Sequence, residues 1–136
     1  MIFLDTNILM DFTVPQGKFH QDAKNLIHFC GDNDIEMATS VLCVGTFVYL
    51  IRKRLKLTSI EVKNKLTELD LFITLVPTHN RELVTSAFSS FKDLEDAILY
   101  FTAVENQCDA FITQNTKDFP QPLPIPVLTP AQFFKK

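Results

Sequence analysis

Asp5 directly ends a short apolar run, Ile2-Phe3-Leu4, while Asp93-Leu94-Glu95-Asp96 and Asn115-Thr116-Lys117-Asp118 lie far downstream, the latter just after the run Ala110-Phe111-Ile112. Short apolar runs bounded by polar residues read as buried strands, and in open α/β sheets ligands sit beyond the strands' carboxyl ends. If the two runs are neighbouring strands, distant carboxylates meet at one end of the sheet. Like charges about 4 Å apart repel by roughly 4 kcal/mol at an effective dielectric of about 20. Such a cluster persists only if protonated, spread apart or holding a cation. The pattern points to a divalent metal site.

Each residue has a plainer reading beside the chemical one. Asp5 could cap a helix or turn at the strand end. Asp93 and Asp96 lie three apart and share a helix face, yet Asp93 could be the helix N-cap, with Asp96 at the capping-box acid position. Glu95 is expected to point elsewhere, into solvent. Asn115 can offer a carbonyl oxygen or donate to a carboxylate. Asp118, beside Phe119, is either an acid of the site or part of a surface turn. Thr113 either hydrogen-bonds an acid or is simply a β-branched strand residue. The dense basic run Arg52-Lys53-Arg54-Leu55-Lys56 is either a helix end favoured by the helix dipole or a track for phosphates.

The elements that must position these side chains alternate along the chain. Strands are expected at Ile2–Leu4, Ile35–Ala38, Leu71–Val76 and Ala110–Thr113, and a stiff, proline-rich extended segment leads to Val127-Leu128. Between them, helical patterns run over Asn7–Phe12, over Lys18–Cys30 with Phe19, Ala23, Leu26, Ile27 and Cys30 on one stripe, and from a Thr39 or Ser40 cap to Leu55. Thr58-Ser59-Ile60-Glu61 is a capping box opening a helix to Leu69. Thr78 can cap the next helix, Asp93–Gln107 is helical, and Thr129-Pro130 starts a terminal one. Alternation with long crossovers implies one domain over 1–136, a three-layer α/β/α sandwich around a parallel sheet covered on both faces.

Composition narrows the chemistry further. Only Gly17, Gly31 and Gly45 occur, so neither a phosphate loop nor a dinucleotide fingerprint can be built. There is no Gly-x-Ser-x-Gly elbow, and Asn7 stands where a carboxylate phosphatase would need its second acid. Cys30, Cys43 and Cys108 read as buried structural thiols in a reducing cytoplasm, and with His20, His28 and His79 they lack zinc-ligand spacing. The net charge of −3 argues against tight, passive duplex binding. No apolar run reaches the length of a membrane helix, and no cleavable leader is expected before a strand at residue 2.

Taken in order, these motifs resemble those of PIN-domain proteins, the nuclease family that includes VapC-type toxins of bacterial toxin–antitoxin pairs. Phe3-Leu4-Asp5-Thr6-Asn7-Ile8-Leu9-Met10-Asp11 resembles the opening motif, and Asp96-Ala97-Ile98-Leu99-Tyr100-Phe101-Thr102-Ala103 the third. Phe111–Phe119 resembles the fourth and Pro126–Pro130 the closing strand. The resemblance implies that Asp5 and Asp96 are metal ligands supported by Asp93, with Asn115 where many members carry aspartate and Asp118 as a nearby acid. Asn7 and Thr113 would support them. It also implies Mg2+ or Mn2+, hydrolysis of an RNA phosphodiester, a cognate antitoxin and a homodimer using part of the apolar helix 40–55. For such a substrate, Arg52, Lys53, Arg54 and Lys56 of the basic run are the RNA-contact candidates. One departure stands out. Where the family usually has a glutamate near the start of that helix, this chain has Gly45 and Thr46; Thr46 can donate a hydrogen bond or hold a metal-bound water but adds no charge. Two other readings therefore stay open: a catalytically decayed PIN module that binds RNA or a protein partner, and a metal-dependent phosphatase acting on small molecules.

Overall fold

A computed structural model describes residues 1–135. Five strands, β1 (Ile2–Leu4), β2 (Met37–Ser40), β3 (Ile73–Val76), β4 (Ala110–Ile112) and β5 (Val127–Leu128), form one sheet in the order β3-β2-β1-β4-β5. Every pairing is parallel. Every residue of β1, β2 and β4 is buried. Because successive strand residues face opposite sides, both faces must be covered by helices, as the expected three-layer α/β/α architecture requires. Phe3 and Phe111 stack across the β1–β4 pair with ring centroids 5.2 Å apart.

The helices are α1 (Thr6–Thr13), α2 (His20–Asp32), α3 (Val41–Leu55), α4 (Ser59–Asp70), α5 (Asn80–Ala87), α6 (Leu94–Glu105) and α7 (Pro130–Phe133). Four start on caps that the sequence offered: Ser40 on α3, the Thr58–Glu61 capping box on α4, Asp93 on α6 and Thr129 on α7. On α2 the stripe Ala23, Leu26, Ile27 and Cys30 is buried, whereas Phe19 precedes the helix and is exposed. All three cysteines are free and buried.

Four boundaries differ from expectation. Strand β2 lies two residues later than Ile35–Ala38, because Thr39 runs into the sheet and its hydroxyl donates to the Leu4 carbonyl at the end of β1, 2.8 Å away. Strand β3 loses Leu71 and Phe72 to the end of α4, where Leu71 is the C-cap. Helix α5 begins after His79, whose backbone N–H donates to Glu82, while the Thr78 hydroxyl pairs with Thr102. Helix α6 ends at Glu105, two residues short of Gln107. None of the helices among the described residues is long and apolar enough to cross a membrane.

Candidate active site

Sheet register builds the site. Leu4 is opposite Ile112, so the next residues, Asp5 and Thr113, leave the sheet side by side. The Thr113 hydroxyl donates to Asp5 Oδ2 at 2.7 Å. Asn7, the second residue of α1, donates through Nδ2 to the same Oδ2 at 2.8 Å and to the Thr113 hydroxyl at 2.9 Å. Its Oδ1 accepts the Gln114 backbone N–H. Asp5 Oδ1 accepts the Thr6 N–H at 2.6 Å. Asp5 is therefore 6% exposed yet held by three donors. Burial raises its pKa and Glu95 adds to the rise, against the lowering pull of Thr113, Thr6 and Asn7.

The second group of acids comes from the start of α6. Asp93 Oδ1 accepts the backbone N–H groups of Glu95 and Asp96 at 2.8 and 3.2 Å, so its capping role is real. Capping does not remove it from the cleft: Asp5, Asp93, Glu95 and Asp96 line one hollow of about 370 Å³ together with Asp11 of α1. The opposite wall is a stripe of α3, Thr46, Leu50 and Arg54. Among the described residues, no basic group lies within ion-pair distance of these acids; the salt bridges lie elsewhere. Burial, then Asp5, Asp93, Asp118 and Glu95, raise Asp96 to about 7.

Glu95 corrects the sequence reading. It is exposed, as expected, but it does not point elsewhere: it lines the cleft, where the Thr46 hydroxyl reaches its Oε1 at a long 3.4 Å. The side chains of three acids in four residues diverge around a helix end, so side-chain spacing on a regular helix misplaces the one at the first turn. Asp11 was also missed. It shares a face of α1 with Asn7, four residues earlier, and Gln114 Nε2 donates to it at 2.9 Å. Burial raises its pKa as well.

Other candidates stand apart. Asn115 donates to Asp118 from the loop after β4, its backbone N–H reaching Thr113; both are exposed, and neither lines the cleft although Asp118 acts on Asp96 through charge. Of the basic run only Arg54 lines the cleft. Lys53 lies over the Tyr49 ring and donates to its hydroxyl, and Arg52 and Lys56 are exposed.

The donor set suits a hard cation, being carboxylates with hydroxyls and an amide, and no thiol or imidazole. The buried Thr6 Oγ1, at the cleft's inner wall, has no hydrogen-bond partner. Among the described residues no three acids, histidines or cysteines gather closely enough to hold an ion alone. Magnesium does not need that, since it retains several waters and takes one or two carboxylates. Asp5 and Asp96 fit that role.

A family model described as PIN domain matches residues 1–117. No curated protein sequence matches the chain. Among solved structures, the chain resembles one from a toxin–antitoxin complex of Klebsiella pneumoniae (TM-score 0.68, 24% identity, 96% of this chain and 98% of that one). It also resembles one from VapBC2 of Rickettsia felis bound to a DNA fragment from its promoter (0.67, 16%, 95% and 98%). A third is VapC20 of Mycobacterium tuberculosis, a sarcin–ricin loop cleaving toxin (0.62, 12%, 82% and 87%).

Proposed function

From the premise that this chain belongs to the PIN domain family, we propose that it is a metal-dependent ribonuclease, the toxin of a toxin–antitoxin pair. One observation carries the reading. Asp5 from the end of β1 and Asp96 from the first turn of α6 face the same cleft, with no cation paired to either among the described residues.

Asp5 and Asp96 would hold Mg2+ or Mn2+. When bound, such an ion activates water, neutralises the scissile phosphate and stabilises the leaving oxygen. The chain's other residues set the stage. Thr113 and Asn7 orient Asp5, leaving Oδ1 with one protein donor. Asp93 accepts both of its backbone hydrogen bonds through Oδ1, so Oδ2 is available to orient the attacking water. Glu95, steadied by Thr46, supplies negative charge on the side where α3 has none. Asn115 holds Asp118 in the loop after β4, outside the cleft lining, from where its charge adds to the rise in the Asp96 pKa.

An antitoxin partner is proposed from the likeness to the Klebsiella toxin–antitoxin complex. A homodimer is proposed from the exposed apolar side chains of Val41, Leu42 and Leu83, which border an apolar hollow between α3 and α5. The enzyme would act in the cytoplasm, where its three buried thiols stay reduced.

The test compares purified wild type with Asp5→Asn and Asp96→Asn on structured RNAs, with manganese, magnesium or chelator. Metal-dependent cleavage lost in both variants supports the reading. A second reading, a decayed module that binds RNA or a protein without cutting, is favoured by the absence, among the described residues, of three acids gathered closely enough to hold an ion by themselves. Folded wild type that binds RNA but cleaves nothing under any metal would establish it instead.

A further inference from the structure

We propose that Arg54 is the phosphate-binding cation of the site, gripping an RNA phosphate at or beside the bond to be cut; this rests on the ribonuclease reading above. The hollow is lined by five acids and Arg54 is its one basic residue. A polyanion entering such a cleft meets repulsion from every wall except this one. Thr46, Leu50 and Arg54 recur every fourth residue and so form one stripe of α3. Helical side chains lean back toward the N-terminus, and all three residues of the stripe line the hollow. Over eight residues the helix rises about 12 Å, a span that a long arginine side chain shortens toward the acids.

The helix dipole does not account for this placement. Arg52, Lys53 and Arg54 all occupy the last turn of α3, where any of them satisfies the dipole, yet of the three only Arg54 lines the hollow. Lys53 is taken up by Tyr49. Arg54 makes no ion pair among the described residues, so its donors are available. Its planar fork matches two oxygens of one phosphate, which a lysine cannot do. The site thus divides its labour: carboxylates for the ion and a guanidinium for the phosphate.

The assignment makes two measurements on Arg54→Ala move in opposite directions. Removing a positive charge near the acids tightens Mn2+ binding by about two- to fourfold in calorimetry. Removing the phosphate contact weakens binding of a labelled structured RNA, measured by anisotropy in chelator, by about ten- to a hundredfold. The slope of log affinity against log salt falls by about one. Arg54→Lys keeps the Mn2+ affinity of wild type but recovers RNA binding only in part, and Arg52→Ala matches wild type in Mn2+ affinity. A misfolded or loosened site would weaken both ligands together, and that result overturns the assignment, as does RNA binding by Arg54→Ala within twofold of wild type. If wild type and Arg54→Ala bind RNA alike while wild type still cleaves with manganese, only this inference fails. If wild type neither cleaves nor binds RNA, the ribonuclease reading falls and takes this one with it.

Discussion

Asp96 shows how one residue reports the state of the whole site. Its folded-state pKa of about 7, against an ordinary 3.8, follows from burial and from the neighbouring Asp5, Asp93, Asp118 and Glu95. Between these two values the folded protein holds a proton that the unfolded chain has released, so stability falls as pH rises from about 4 to 7 and levels off above. Asp5, also raised, acts in the same direction. Thermal melts from pH 4 to 8 should show this decline in wild type, and Asp96→Asn should flatten it. Because a ligating carboxylate must be ionised, Mn2+ binding should strengthen with pH over the same range. A flat wild-type profile would mean that the acids are farther apart or better solvated than the structure places them.

The elements that carry the site are fastened by polar contacts at their ends. Parallel register sets Asp5 beside Thr113, and the cap on α6 brings Asp93, Glu95 and Asp96 to the same end of the sheet. The proline-rich approach to β5 depends on one side chain of α6: the Tyr100 hydroxyl donates to the Ile125 carbonyl at 3.0 Å and accepts the Ile125 N–H at 2.8 Å. Tyr100→Phe removes both contacts and leaves the backbone groups to find other partners, at a cost of about 1–3 kcal/mol. Urea unfolding should register that loss while metal-dependent cleavage persists, since Tyr100 does not itself line the cleft.

Across the whole molecule, both sheet faces contribute to one hydrophobic core, and the acids collect at one end of it. The PIN domain match ends at residue 117, but β5 continues the sheet beside β4 and α7 follows it, so the fold extends through the closing segment. A ligand that binds only the folded state stabilises it by about 2.7 kcal/mol at a hundredfold excess over its Kd. Manganese should therefore raise the melting temperature of wild type by several degrees at neutral pH. Asp5→Asn and Asp96→Asn should lose that increment. Equal shifts in all three proteins would mean that the ion binds elsewhere.

Much of this was legible in the residues themselves. The apolar runs before Asp5 and Asn115, the Thr58–Glu61 box and the Asp93 cap are local signals, because strand and cap preferences act over a few neighbouring residues. The order of these motifs resembled the PIN family, and the match over residues 1–117 bears that out. Local pattern could not say that Glu95 turns toward α3, that Asp11 joins the cleft, or that Arg54 alone of its basic run lines it. Nor could it place Thr39 inside the sheet, since its hydroxyl is satisfied by a carbonyl 35 residues away. The chain by itself determined which elements form and which residues can do chemistry; only the packing of α1, α3 and α6 about the end of the sheet decided which charges share one cleft, because electrostatic neighbours are set by distance in space.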